Sequence, residues 1–286
     1  MQVRIRDAVW RAATMLLAAI FAGPEVVSLA AELEYPLAIV AGNAGEVFLV
    51  DRNVPGVWKA TDGTLELFFQ GEKKFRTPLN APRCIAVDAE GRILVGDTST
   101  RQVYRFNAEG KPEALLTGLG IGMPMSIAIN KAGEILVADL ELHRIWKVPA
   151  AGGEAALFVE IAAPRGLCID SQDRLWVVSH GKNQLVRVAP DGAIEPIVKE
   201  RTFNFAHNVV VDAEFNAYVI DGYEKAIWKI PPEGKPEKLV EGEPFKNPVG
   251  LARRGDDLLV ADPHAKAVFQ VSKDGKVTRL ELMPKP

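Results

Sequence analysis

The sequence predicts an all-β fold built from six similar units, and three observations predict it. A five-residue segment, GVWKA at 56–60, returns as QVYRF (102–106), RIWKV (144–148), QLVRV (184–188), AIWKI (226–230) and AVFQV (267–271). Ahead of each copy stands an apolar run closed by a small polar residue: VFLVD ends at Asp51, ILVGD at Asp97, ILVAD at Asp139, LWVVS at Ser179, AYVID at Asp221 and LLVAD at Asp262. Each unit opens on a third column, YPLAIV, APRCIAVD, MPMSIAIN, APRGLCID, FAHNVVVD and NPVGLA. The columns stay in step at intervals of 40 to 46 residues, so residues 35–286 form one array of internal repeats.

Taken in order, every unit reads as four strands. The opening column, the run ending in Asp or Ser and the GVWKA-like segment are followed by LELFF, EALLTG, AALFVE, EPIVK, EKLVE or VTRLEL. Short runs rich in Val, Ile and aromatics, cut by AEG, DG, PEG and AGG, are strands joined by tight turns. Four antiparallel strands in about 40–45 residues is the arithmetic of a propeller blade, and six of them close into a six-bladed β-propeller. Apolar residues on both faces of a blade are covered only when neighbouring blades pack on either side. The central residues Trp58, Tyr104, Trp146, Val186, Trp228 and Phe269 are therefore expected to fill the gaps between blades. The Asp column reads as turn caps, one per blade, in preference to a ring of metal ligands. Because the repeats run in phase to the C-terminus, no strand is exchanged between the ends; AELEY at 31–35 is the segment placed to pair with the outer strand of the last blade.

Residues 1–30 carry a different pattern. Arg4, Arg6 and Arg11 precede an apolar run from Ala12 to Gly23 broken only by Thr14, followed by Pro24 and by Ser28-Leu29-Ala30, with small residues at the −3 and −1 places of a cleavage site. That is a secretory signal, with the propeller occupying 31–286. The apolar run rises only ~18 Å against a hydrocarbon core of roughly 30 Å, and no later stretch is longer. The expectation is an exported protein, periplasmic or secreted, with no membrane span in the mature chain, and a monomer. A net charge of −3 argues against a nucleic-acid partner. Cys84 and Cys168, each inside an apolar run, are too few for a disulfide framework and are expected to be buried free thiols.

The second unit, PRCIAVDAEGRILVGDTSTRQVYRF, resembles the NHL repeat, whose pattern is Pro-x-x-Ile-Ala-Val-Asp-x-x-Gly-x-Ile-x-Val-x-Asp-Thr followed by a short loop and an apolar strand. The resemblance extends over all six units, least in the first and last, and shades into the gluconolactonase-like and streptogramin-lyase-like superfamily. It implies the architecture; such repeats serve enzymes and binding modules alike. Gluconolactonase-like members carry a first-strand Glu and an Asp after a later proline around a divalent cation, typically calcium. Leu37 and Arg165 stand at those places here, so that part of the pattern is missing. An NHL-like lyase of hydroxyglycine peptides uses a histidine-rich zinc site, which bears on the four histidines of this chain.

In a propeller the 2–3 loops within blades and the 4–1 loops between blades emerge on one face, around the mouth of the central channel. Residues that break the repeat on that face are the candidates. His143, His180 and His264 fall in 2–3 loops, and His207 opens the first strand of the fifth blade. In the His207 column the blades present Leu37, Arg83, Met125, Arg165, His207 and Val249, with Ser126 and Asn208 in the column after it. Three chemistries compete. His143, His180 and His207 could hold Zn²⁺ or another divalent metal, with His180 and His207 also the proton-transfer groups of a lyase or hydrolase. A calcium-dependent lactonase lacks its carboxylates. Arg83, Arg165, Asn208 and Ser126 could instead receive a small anionic ligand, or the face a protein partner, with Lys73, Lys74, Arg76, Lys182, Lys199 and Arg201 adding positive charge. Equally, Arg83 and Arg165 could pair with acids on a solvated rim. No GxSxG elbow is present, and Ser126 has no local His or Asp partner.

Overall fold

A computed structural model describes residues 32–118, 120–233 and 235–285. The secretory signal read at 1–30 lies outside the described residues. Six four-stranded antiparallel blades follow one another along the chain. The first comprises β1 (Pro36–Ala41), β2 (Val47–Asp51), β3 (Gly56–Thr61) and β4 (Thr64–Gln70), and the second β5 (Pro82–Val87), β6 (Ile93–Asp97), β7 (Gln102–Phe106) and β8 (Pro112–Ala114). The third is β9 (Pro124–Ile129), β10 (Ile135–Asp139), β11 (Arg144–Val148) and β12 (Ala156–Glu160); the fourth is β13 (Pro164–Ile169), β14 (Leu175–Ser179), β15 (Leu185–Val188) and β16 (Ile194–Val198). The fifth holds β17 (Ala206–Val211), β18 (Ala217–Asp221), β19 (Ala226–Ile230) and β20 (Glu237–Glu241), and the sixth β21 (Gly250–Arg254), β22 (Asp257–Asp262), β23 (Ala267–Val271) and β24 (Val277–Arg279). A short β25 (Met283–Pro284) ends the chain's strands. No helix among the described residues is long and apolar enough to cross a membrane.

The first strands stand side by side around the axis. The second strands are buried along their whole length, Asp257 at the start of β22 excepted, because blades cover them on both faces, as in β6 and β10. Each apolar cluster accordingly spans a blade boundary. Trp146, Val137 and Ile135 meet Leu94, Ala86 and Val103 between the third and second blades; Trp58, Leu49 and Ile39 meet Leu259, Ala261 and Val268 where the first blade meets the sixth. The recurring aromatic is therefore core, as its position in the repeat implies. Trp228 is the exception in degree: it is half-buried, with Phe203 against one side and the Lys238 ammonium 5.2 Å from its ring.

The Asp column does more than close a turn. Asp51, Asp97, Asp139, Asp221 and Asp262 are fully buried, and each accepts backbone N–H bonds both from the 2–3 turn after it and from the segment leading into its own blade. Asp221 takes Tyr223 and Glu224 from the turn, and Asn204 and Phe205 from the 4–1 connection. One carboxylate with several lone pairs thus pins two loops to the same end of the barrel, satisfying donors that would otherwise be orphaned. In the fourth blade Ser179 does the same with one oxygen, donating to Ala162 O and accepting from Gly181 N.

Two expectations are revised. The described part of AELEY, residues 32–35, pairs with no outer strand. Instead Leu33 packs into the seam between the first and last blades, while the N–H groups of Glu34 and Tyr35 bond Asp51. Closure comes from the C-terminal end: β25 runs parallel to β4, with Met283 N bonding Gly63 O and Lys285 N bonding Leu65 O. The outer strand read at EALLTG is also cut short at Ala114. Gln102 takes over the edge, its Oε1 accepting Leu116 N while its Nε2 donates to Leu116 O. Both cysteines are free, with Cys84 buried and Cys168 half-buried; burial pushes their thiols up to about 12 and about 11.

Candidate functional site at the channel mouth

The repeat itself explains why one column of side chains reaches the axis. In five blades the first strand slips by a residue against the second just after its opening Pro or Ala: between Pro36 and Ala38, Pro82 and Cys84, Pro124 and Ser126, Pro164 and Leu167, and Ala206 and Asn208. A bulge re-aims the extra residue. Leu37, Arg83, Met125, Arg165 and His207 are those residues, and with Val249 they line the channel. A proline at the head of the strand fits because no ladder N–H is needed there.

The channel has a mouth, a neck and, beyond the neck, a further space of about 380 Å³ lined by later residues of the first strands such as Ile39, Ile127, Leu167 and Val209. A mouth of about 320 Å³ opens beside the first three blades, walled by Leu37, Met123, Met125 and Leu140 and carrying Arg52, Arg83 and Arg165. Below it a neck of about 40 Å³ passes between Arg83, Arg165, His207, Ser126 and Asn208. Among the described residues no carboxylate lines the mouth or the neck. A larger cavity, about 390 Å³, lies in the closure seam beside Leu33, Leu65 and Leu280. It contains none of the residues that break the repeat, and the C-terminal segment shapes it, so the chemistry belongs to the mouth.

The electrostatics of the mouth are unusual. Burial, and then the charge of Arg165, lower the pKa of Arg83; burial lowers that of Arg165. Among the described residues neither guanidinium makes an ion pair. The acid-paired rim is therefore not what the structure contains. Arg165 lies over the ring of Phe205 at 5.3 Å, and its Nε is buried with no hydrogen-bond partner. His207 is pushed down to about 3 by burial first, then by Arg83 and Arg165, so it is neutral at pH 7. His180 is also held below its usual value, chiefly by burial. Its Nε2 sits 2.7 Å from Ala206 O; a carbonyl can only accept, so Nε2 carries the proton and Nδ1 is left as an acceptor.

The predicted residues divide as follows. Arg83, Arg165 and His207 share the channel, with His180 one ring away across Phe205, whose centroid is 4.5 Å from His180 and 5.0 Å from His207. Ser126 Oγ accepts Leu167 N at 3.0 Å, and Asn208 donates to Leu251 O at 3.3 Å while accepting its own neighbour Val209 N. Both stitch adjacent first strands together, which leaves the Ser126 hydroxyl proton and the second N–H of the Asn208 amide as their free donors. His143 is exposed on a left-handed turn (φ 56°), its Nδ1 facing Ala163 N, outside the mouth. A site of His143, His180 and His207 together is thus not formed: among the described residues no three His, Cys, Asp or Glu side chains converge to hold a metal ion. The residues present do not fit Zn²⁺, and two guanidiniums at the axis oppose any cation.

Phe205 was not among the predicted residues. It stacks on Tyr223 at 4.6 Å and supports Arg165 and both histidines. The sequence did carry a mark of it: Phe205-Ala206 stands where the other blades have a residue followed by Pro, and Ala206 is the residue whose carbonyl holds His180.

The fold and mouth together define a six-bladed propeller with a cationic channel entrance that no acid lines among the described residues. Residues 11–200 match the SMP-30/gluconolactonase/LRE-like family, and the chain belongs to it. No curated protein matches the chain by sequence. Among solved structures it is similar to virginiamycin B lyase from Staphylococcus aureus, at 15% identity over 87% of this chain and 86% of that one with a TM-score of 0.68. It is similar also to a gluconolactonase from Xanthomonas campestris, at 13% identity over 87% of each chain with a TM-score of 0.71. A chain of a nidogen/laminin complex matches at 15% identity over 81% of this chain and 95% of that one, TM-score 0.68. At these identities the likeness is one of fold.

Proposed function

We propose that the protein is an exported binding propeller whose channel mouth takes a small anionic molecule. The observation that carries this is the pair Arg83 and Arg165, half-buried, facing one channel and unmatched by any acid. Burying charge without a partner is costly, and a carboxylate or phosphate offers a guanidinium the bidentate partner that the protein itself withholds. The export half of the reading rests on the N-terminal pattern. It predicts that the chain recovered from the periplasm or medium of expressing cells begins at Ala31.

The test is thermal unfolding with and without phosphate or succinate. At a hundred times its dissociation constant a ligand stabilises by about 2.7 kcal/mol, a rise of roughly 5–10 °C for a domain of this size. Arg83→Met and Arg165→Met should each weaken binding about ten- to a hundredfold, as expected for losing a charged hydrogen bond. Equal shifts in wild type and both variants would refute the assignment.

A second reading, a hydrolase or lyase, draws support from the likeness to a gluconolactonase and to virginiamycin B lyase and from the two neutral imidazoles beside the mouth. In it His180 Nδ1 and the neutral His207 ring accept protons from a bound substrate, with Arg83 and Arg165 stabilising the negative charge that develops. Turnover of a lactone or ester that survives removal of metal by chelation, and is lost in His207→Ala, would favour it.

A further inference from the structure

We infer that the ligand of the mouth is amphiphilic: an anionic head held between Arg83 and Arg165, with an apolar body lying on Met123, Met125 and Leu140. The inference rests on the anion-binding reading above and adds the chemical class of the rest of the molecule. Three features carry it.

The first is where the arginines sit. Both line the mouth and the neck, so they mark the junction between a space of about 320 Å³ and one of about 40 Å³. The mouth is at the low end of the roughly 300–1,000 Å³ range of small-molecule sites. The neck has room for roughly three waters. A head that reaches the arginines therefore stops there, and the remainder of the ligand must lie in the mouth.

The second is what the mouth offers that remainder. Its wall is Leu37, Met123, Met125 and Leu140 with Ala81 and Pro82, and the side-chain groups able to donate there are the arginines and Thr98. A site built for inorganic phosphate alone would surround the ion with donors; this one supplies donors at one end and hydrocarbon along the side. Met123 is 37% exposed although it lies on a short loop within a tightly packed ring. Thioether side chains conform to apolar ligands of varied shape, which suits an alkyl or ring-bearing body.

The third is the contrast with the other side of the channel. There Phe205 is covered by Tyr223 and by His180, and the neck is closed by polar side chains engaged in inter-blade bonds. Around the mouth the open apolar wall thus lies on the side of the second and third blades, and the narrow neck separates it from the apolar space of about 380 Å³ farther down the channel, giving a ligand held at the arginines one direction in which to lie.

The experiment is a calorimetric titration of the protein at pH 7 with phosphate, butanoate, hexanoate and octanoate. The expected result is that all four bind and that affinity rises about fourfold for each methylene covered by the wall. In Met125→Ser the slope with chain length flattens, whereas Arg83→Met weakens phosphate and all three acids alike and leaves the slope in place. Met123→Ser, at an exposed position, provides the same readout if the first-strand substitution impairs folding. Phosphate binding together with equal affinity for butanoate and octanoate would overturn the amphiphile and leave the anion site standing. A chain-length slope that persists in both methionine variants would also overturn it, since the tail would then lie elsewhere. No binding of phosphate or of any acid would overturn this inference and the anion reading together.

Discussion

Asp139→Asn is the substitution whose cost follows most directly from geometry. Asp139 is fully buried and accepts five hydrogen bonds. Oδ1 takes the N–H groups of Met123, Glu141 and Leu142, at 3.0, 3.1 and 3.0 Å. Oδ2 takes Gly122 N at 2.7 Å and Trp146 Nε1 at 2.9 Å. Asparagine keeps the shape and can keep the Oδ1 bonds, but its amide nitrogen then faces two donors. An orphaned buried donor costs about 1–3 kcal/mol, so two cost about 2–6 kcal/mol. At about 2–4 °C per kcal/mol the midpoint is a fall in Tm of roughly 10 °C, read by calorimetry or circular dichroism. Trp146→Phe removes one of the two clashing donors, so the double variant should be less destabilised than the sum of the singles. Asp97 supplies the control: its Oδ2 faces a single backbone donor, Asn80 N, and Asp97→Asn should cost about half as much. If Asp139→Asn proved no worse than Asp97→Asn, the reasoning from donor count would be wrong.

Four further outcomes follow from the same structure. Burial alone would raise the pKa of Asp139, but the bonds from Gly122, Met123, Trp146 and Leu142 outweigh it and hold the carboxyl below its ordinary value. Its stabilisation is therefore complete above about pH 4 and lost as pH falls below that, and Tm should drop more steeply from pH 5 to 3 in wild type than in Asp139→Asn. His207, at about 3 against an ordinary 6.5, binds fewer protons folded than unfolded. Its contribution is complete above about pH 6.5 and shrinks as pH falls toward about 3, and its imidazole nitrogen shifts should show a neutral ring at pH 5. Arg165→Met should raise the Tm of the ligand-free protein by a few degrees, about 0.5–2 kcal/mol, because it removes a half-buried charge whose Nε has no partner. Removing residues 283–286 deletes two backbone bonds across the closing seam and should cost about 2 kcal/mol, with faster hydrogen exchange concentrated in β4.

How far the sequence could be read depended on whether a feature repeats. The blades were legible because each strand buries the same faces six times over, so Val47–Asp51, Ile93–Asp97 and Ile135–Asp139 announce one another. Arg83, Arg165 and His207 were legible for the converse reason: they break a column that the bulge turns toward the axis. What does not repeat was hidden. Ser126 and Asn208 look like ligand donors in sequence, yet Leu167 N and Leu251 O claim them across blade boundaries, a contact between residues some forty positions apart. His143 shares its turn position with Arg101, Lys225 and Lys266, all at positive φ, so its place follows the turn geometry and carries no metal-binding signal. The closing strand escaped notice because two residues, Met283 and Pro284, are too few to show alternation.

Whether Arg83 and Arg165 hold an anion together is tested most directly by a crystal structure of the protein grown with saturating hexanoate. The expected structure has a carboxylate with its oxygens about 3 Å from the guanidiniums of both Arg83 and Arg165, and the alkyl chain turned toward Met125. Both arginines turned onto protein carboxylates, with only solvent in the mouth, would contradict it.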